Sequence, residues 1–569
     1  MAKLLNIFDG RDKIGLIVLL FLFIFSGIIE VVGIASVAPF IALLTKPEYL
    51  SGNSFYQNTL SHYSLSNTEA TVIMGVLVII LFALSNIVTA YTLWKSVSFT
   101  AFQQHKISMN SFKKYLYQPY DFYVKTTASS ISKNILHETG IICDLVILPA
   151  LQFLSKLFII FSISIFLLYL NHQIFISSVL FLGLVYLMIY TSIKNKLDNY
   201  GKTKIIMNKE KYKCVGDAFA DIKSIKFYST EDSYLNIFNK PAKSFAYLTA
   251  KSTLFSTLPR YILEIIAFGS IFMVLIYFLS QNYNLLAESP IIAVFIIAAY
   301  RALPLMQQVY QNYTIYKFNS PVIDIIRDIY GLTIDNNKKC TIKKFDQSII
   351  FDNISFSYDS MKIISDLSLE IKKSQTIAIV GDSGSGKTTL IDILLGFNRN
   401  YKGKIIIDGN HLTHIELLGL RNMIGYVSQD TSLTYMSLEE NIAFGQDKKD
   451  IDYDLIRDVI SVTQLKDFVE DLEQGLQSIL TEGGSNISGG QKNRVLIARA
   501  LYRKPKILIL DEATSAFNEE LEKKILTNIK NYLPGITIIL VTHRKSSLQF
   551  CNKVFHMRLN DNQTDIMSS

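Results

Sequence analysis

Six apolar runs precede residue 320, each near the roughly 20 residues that cross a bilayer as a helix. Inside lipid every backbone polar group must bond within its own segment, so runs of this length confine this half of the chain to helices. They lie at about Ile14–Leu44, Thr71–Trp94, Ile141–Leu170, Ile174–Ile193, Tyr261–Leu279 and Pro290–Val309. His172 marks a tight turn between the third and fourth, and Ser280–Ser289 a short turn between the fifth and sixth. Long stretches follow the second and fourth runs. Only 18% of the 569 residues are charged, against about 25% in soluble proteins.

The lysines give the orientation. The net charge is +8, and the lysines crowd into the two long stretches: Lys106, Lys113, Lys114 and Lys125 in the first, and ten between Lys194 and Lys251 in the second. The loop Thr45–Ala70 has only Lys46, and the two tight turns have no Lys or Arg. Cationic loops stay in the cytoplasm, so both termini and both long stretches are expected there. Basic stretches beside spanning helices report orientation, and nucleic-acid binding is not expected. The first run exceeds a signal-peptide core and reads as a spanning helix. Cys143, Cys214, Cys340 and Cys551 have no paired spacing, which implies neither a disulfide framework nor a zinc site.

Charges inside spans are the exceptions that carry information, since each costs about 2.5–3.5 kcal/mol at a helix centre. Glu30 lies midway along the first span, Arg301 near the middle of the sixth, and Arg260 and Glu264 at the start of the fifth. Two readings stay open. The charges pair with each other (Arg260 with Glu264 at i,i+4, Arg301 with Glu30), or they line a cavity for a charged head group. A guanidinium fork suits phosphate or pyrophosphate. Pro39, Pro149 and Pro304 are read as tolerated kinks.

After Ser320 the character changes. Asp335–Lys344 is polar, and then come strand-like runs at Ser348–Tyr358, Leu367–Ile371 and Thr376–Val380. Directly after the last stands Gly381-Asp382-Ser383-Gly384-Ser385-Gly386-Lys387-Thr388, followed by Thr389 and a helical run to Gly396. This is a phosphate loop in its strand–loop–helix setting. Its glycines let amides close on phosphates at a helix N-terminus, Lys387 adds charge, and Thr388 offers a hydroxyl to Mg²⁺. A second apolar strand, Ile507–Leu510, ends in Asp511-Glu512. The first acid suits the Mg²⁺ shell and the second can polarise a water. Between the two strands, Ser488-Gly489-Gly490-Gln491 opens an amphipathic helix.

This set resembles the ATP-binding cassette family. Walker A is Gly381–Thr388, the signature Ser488–Gln491, and Walker B ends at Asp511. Tyr358 matches the adenine-stacking aromatic, Gln429 the Q-loop and His543 the switch histidine. With the membrane half, the chain resembles a type I ABC exporter half-transporter. The resemblance implies an α-helical six-span membrane domain over 1–320, a linker over 321–344 and an α/β P-loop nucleotide-binding domain over 345–569. It implies ATP and Mg²⁺ as cofactors, Thr388, Gln429 and Asp511 around the metal, Glu512 as general base and His543 at the transition state. It also implies a homodimer in which Ser488 and Gly490 meet the γ-phosphate held by the other copy. Coupling helices are expected around Pro119–Thr127 and Asp217–Lys226. Phe517-Asn518 departs from the usual Leu-Asp and Ile487 from the usual Leu, so communication between the two ATP sites is in question while hydrolysis is expected.

Thr481-Glu482-Gly483-Gly484-Ser485-Asn486, Pro259–Glu264 and Tyr300–Pro304 are similar to PglK-type flippases of lipid-linked oligosaccharides. By that likeness Arg260, Arg301 and Glu30 become candidate substrate residues, Thr45–Ala70 a candidate external helix, and the bacterial inner membrane the expected location. One departure is that Thr71–Trp94 has no arginine, Ser85 standing in its place. The alternatives are an exporter of lipid, peptide or drug, or an ATP-gated channel or regulator.

Overall fold

The computed structural model describes residues 8–45, 67–170, 172–280, 285–334, 344–358, 361–429, 431–560 and 563–568. The chain divides into two units: Met1–Gln118 with Phe122–Ile334, and Pro119–Asp121 with Asp335–Ser569.

The first unit is built of helices joined by short turns, with no strand among its described residues. Helices α1 (Gly10–Ala35), α2 (Asn67–Leu116), α3 (Leu148–Leu170), α4 (His172–Ala220), α5 (Glu231–Ser280) and α6 (Leu285–Asn319) cover the six apolar runs. Three stretches of the described residues are long and apolar enough to cross a membrane: Gly10–Ile41, Thr71–Leu116 and Ala128–Leu170. α1 shows how the sequence sorts its faces. Ile14, Phe21 and Ile28, seven residues apart, are exposed, whereas Leu19, Phe23, Glu30 and Ile34 are buried. An apolar outward stripe is stable only against lipid.

Two helix breaks fall beside prolines, while Pro241 and Pro259 lie inside the continuous α5. The first run is split at Ser36, one turn before the ring of Pro39, with a short helix Val37–Thr45 beyond it. Pro149 opens α3 directly after a wide π-type segment, Cys143–Ile147. A residue added to the turn relieves the clash that a proline ring makes with the preceding carbonyls. Pro304 lies within the unbroken α6.

Short helices occur at Tyr120–Lys125 and Ile222–Tyr228. The first lies within the expected Pro119–Thr127. The second begins later than Asp217, because α4 runs to Ala220 and Asp221 then caps the new helix. The stretch 321–344, expected as a linker, opens with α7 (Val322–Gly331), whose Val322, Ile323, Ile326 and Ile329 enter the core of the first unit. Residues 335–343 lie outside the described set, as does most of the loop 45–70 with its expected external helix.

The second unit carries two large sheets and a short antiparallel ribbon that pairs Met436–Ser437 with Ile479–Leu480. Strands β1 (Ser348–Tyr358), β2 (Met361–Lys372), β4 (Lys402–Ile407) and β5 (Asn410–His411) form an antiparallel sheet in the order β2-β1-β4-β5. The core sheet comprises β3 (Thr376–Gly381), β6 (Ile424–Val427), β7 (Ile507–Asp511), β8 (Thr537–Val541), β9 (Lys553–Asn560) and β10 (Gln563–Ser568) in the order β10-β9-β3-β8-β7-β6. β3, β8, β7 and β6 run parallel. Every residue of β7 and β8 is buried, as parallel strands covered on both faces require. In such sheets ligands bind beyond the carboxyl ends of the strands. The register pairs Val541 with both Ile379 and Asp511, so β8 and β7 end level and β3 runs two residues beyond them to Gly381.

Candidate functional sites

At those strand ends the phosphate loop passes from β3 into α8 (Lys387–Leu394). Gly384 (φ +83°) and Gly386 (φ +89°) adopt left-handed backbone, a conformation that costs glycine little. At Gly381 a Cβ would meet the Met557 carbonyl oxygen at 2.2 Å, so the residue must stay bare. The Lys387 ammonium donates to the Gly381 and Asp382 carbonyls at 2.9 and 2.7 Å, holding its charge in the loop. The Ser385 hydroxyl is buried without a partner among the described residues, the kind of orphan that a bound phosphate satisfies. Ser383 is exposed on the loop and Thr389 half-buried behind it.

The acids close in from β7. Thr388 Oγ1 donates to Asp511 Oδ2 at 3.2 Å. Two hard oxygen donors at the mouth of a phosphate loop suit Mg²⁺, which takes a carboxylate and a hydroxyl and fills its remaining positions with phosphate and water. Glu512, the next residue, has φ +51°, a left-handed conformation that costs a non-glycine residue about 1–3 kcal/mol and is concentrated at functional sites. Its amide donates to the Val541 carbonyl at 3.0 Å. Its carboxylate accepts from Gln429 Nε2 at 3.1 Å and lies 3.9 Å from His543 Nδ1. The sheet therefore gathers Lys387, Thr388, Gln429, Asp511, Glu512 and His543.

Tyr358 is partly exposed at the end of β1; its hydroxyl accepts from Asn398 at 3.0 Å and its ring meets Phe356 edge-on. Helix α9 (Gly489–Tyr502) is capped reciprocally: Gln491 N–H donates to Ser488 Oγ at 3.2 Å and Ser488 N–H to Gln491 Oε1 at 2.8 Å. Ser488 and Gly489 are exposed, Gly490 half-buried, and no contact joins them to the phosphate loop among the described residues. Ahead of them, Asn486 closes its loop with neutral bonds to Thr481: from Thr481 N–H at 3.1 Å and Thr481 Oγ1 at 2.9 Å.

The departing pair Phe517-Asn518 keeps its structural duties. Phe517 is buried, and Asn518 caps α10 (Glu519–Tyr532), accepting from Leu521 N–H at 2.8 Å. Arg544, beside His543, donates to the Thr514 and Phe517 carbonyls at 3.2 and 2.6 Å. Burial and then the neighbouring Asp511 push the Asp392 carboxyl up to about 6. Sequence reasoning passed over Asp392 because a carboxylate on an amphipathic helix reads as solvated.

In the first unit a cavity of about 670 Å³ is lined from five helices, with Glu30, Lys156, Arg260, Glu264 and Arg301 among its residues. Gly27 brings α1 against α3: a Cβ there would meet Ser162 Oγ at 2.6 Å. One turn on, Glu30 pairs with Arg301 Nη1 at 3.1 Å and accepts a hydrogen bond from Ser85. Arg301 also lies 5.0 Å over the Phe82 ring. Arg260 Nε pairs with Glu264 at 2.7 Å. Both pairings foreseen in the sequence are present, and both face the same cavity. Lys156 was overlooked, although a single lysine inside the run Ile141–Leu170 was its signal.

Two family models match the chain: an ABC transporter transmembrane region over residues 16–298 and an ABC transporter domain over 364–515. An export ATP-binding/permease protein of Rickettsia typhi is 41% identical over 40% of this chain and 39% of its own length. An ATP-dependent lipid A-core flippase of Desulfotalea psychrophila is 36% identical over 40% of each chain. A leukotoxin translocation ATP-binding protein of a Pasteurella haemolytica-like species is 39% identical over 38% of this chain and 31% of its own. The chain thus spans well under half the length of the curated relatives it matches. A bacterial Atm1-family ABC exporter solved with ATP bound has the same fold, with TM-score 0.73 at 19% identity, covering 99% of this chain and 96% of that one. A helical membrane unit, a cassette with its phosphate loop and paired acids, and matches to both family models place this chain among the ABC transporters.

Proposed function

We propose that the chain is one half of an ATP-hydrolysing flippase that moves a lipid-linked, phosphate-bearing oligosaccharide across the bacterial inner membrane, with its cassette in the cytoplasm. The observation that carries the substrate class is the cavity. Its cations sit among apolar residues of membrane helices, an environment that tolerates charge only with a partner. An amphipathic anion with a lipid tail meets both demands. The lipid A-core flippase among the relatives supports a lipid cargo, and the short segments similar to PglK-type proteins support a glycan on it.

In this reading ATP lies along the phosphate loop with its base at Tyr358. Thr388 and Asp511, with Gln429 alongside, would hold Mg²⁺, which would supply neutralisation of phosphate charge. Glu512 draws the proton from the attacking water, and His543 stabilises charge developing on the γ-phosphate. The signature Ser488-Gly489-Gly490-Gln491 completes the site from a second copy of the chain, since among the described residues of one copy no contact joins it to the loop. Two sites then close per homodimer.

The second reading, export of another lipid, a peptide or a drug, is favoured by the leukotoxin relative. Proteoliposomes with a fluorescent lipid-linked oligosaccharide separate the two. The flippase reading requires ATP-dependent movement of label between leaflets. Intact ATPase with drug efflux and no glycolipid movement selects the second. An ATP-gated conductance in planar bilayers would refute both.

A further inference from the structure

The cavity holds three cations and two carboxylates, and the cations are not equivalent. Arg301 is committed to Glu30, with Asn86 Oδ1 3.5 Å away and the Phe82 ring beneath it. Glu30 is itself saturated, one oxygen on Arg301 and the other on Ser85. Arg260 is committed to Glu264, its neighbour one helical turn away. Lys156 projects from the middle of α3 into the same space and has no hydrogen bond or ion-pair contact among the described residues. Glu30 lines the same cavity, and no ion pair joins it to Lys156 among the described residues.

We infer that Lys156 is the cation that receives the ligand's phosphate, while Arg301 and Arg260 are held on their carboxylates as positioning residues. This rests on the lipid-phosphate reading above. Three positive charges against two negative leave the lining one charge in excess, and a partly desolvated ammonium draws an anion to itself. A lysine is a compact charge on a flexible stem, suited to a head group that must be bound and then released. Tyr300, Leu303 and Ile159 line the same cavity and supply apolar contact for the lipid. The arrangement also accounts for Ser85. A third arginine, on α2, is unnecessary when α3 supplies the free charge and Ser85 is occupied in fixing Glu30.

The test is equilibrium binding to the purified full chain in detergent, without nucleotide, using undecaprenyl pyrophosphate, undecaprenol and inorganic pyrophosphate as probes. The parent is expected to prefer the pyrophosphate lipid to the alcohol. Lys156→Met is expected to weaken that lipid about ten- to hundredfold, the effect of losing a hydrogen bond to a charged group, and Lys156→Arg to restore it to within about threefold. Equal binding by parent and Lys156→Met overturns the inference and leaves the flippase reading standing. Equal loss in Lys156→Arg also overturns it, because shape and not charge would then be at issue. A parent that ignores undecaprenyl pyrophosphate overturns the flippase reading and this inference with it. A second measurement needs no variant: reductive methylation of the parent, read by mass spectrometry. Undecaprenyl pyrophosphate, but not undecaprenol, is expected to protect Lys156, and a lack of protection refutes the assignment. Protection by inorganic pyrophosphate alone would keep Lys156 as the anion site and overturn the lipid reading.

Discussion

Gln429 donates to the Glu512 carboxylate at 3.1 Å, tying the end of β6 to the end of β7 across the mouth of the phosphate loop. The bond fixes the rotamer of a glutamate whose backbone is already in a left-handed conformation. Gln429→Ala is predicted to lower the ATP turnover of the purified chain about tenfold or more, through a misplaced water and a disturbed metal shell. Binding of a fluorescent ATP analogue is predicted to stay within about threefold of the parent.

Arg544 links the loop at Phe517 to the segment bearing His543. It also lies 3.9 Å from Glu522, which is 1% exposed and accepts bonds from Ser546 and Ser547. Arg544→Ala is predicted to destabilise the chain by about 1–3 kcal/mol, the cost of leaving buried acceptors unpaired. Thermal unfolding of the detergent-solubilised protein checks this, and a melting temperature equal to the parent's would contradict it.

Glu30 and Arg301 form a pair of which Glu30 is buried and Arg301 partly so. Removing one partner strands the other charge. Glu30→Gln and Arg301→Gln are each predicted to lower the melting temperature, and the double variant to lose less than the sum. A double-mutant cycle is expected to give a coupling of about 1 kcal/mol or more; additivity would show that the two do not interact.

Most of the cassette was legible in the sequence, because its chemistry is local. The phosphate loop, β1, and the strand carrying Asp511 stand where the residue pattern puts them, each being a strand or turn that its own residues specify. The membrane half was legible at the level of spans, since bilayer thickness sets helix length. What lay hidden depends on which faces meet. Lys156 is an isolated charge in an apolar run until the fold sets it in the lining of one cavity with Glu30 and Arg301. Arg544 and Asp392 carry no signal in the sequence beyond their charge, because their partners come from other elements. The linker boundary fell at Ser320 because Val322–Gly331 mixes apolar and charged residues; only its apolar face, seated in a core, makes it part of the first unit.

Asp392 gives a pH dependence with a definite sign. Its carboxyl is raised from 3.8 to about 6 by burial and by Asp511, so the folded state favours the neutral acid. The stability this contributes is complete below the unfolded value and is lost as pH rises through about 6. Without nucleotide and magnesium, Asp392→Asn is therefore predicted to melt above the parent at pH 7.5, with the difference shrinking toward pH 5. Melting curves at both values decide it; a constant difference would contradict the assignment.

The central claim is that this chain hydrolyses ATP at Glu512. Steady-state ATPase of the purified chain in lipid, compared with Glu512→Gln, tests it most directly. The parent is predicted to turn over and the variant to fall at least about a hundredfold, as expected for a lost general base, while still binding ATP. Equal rates in the two proteins would contradict the account.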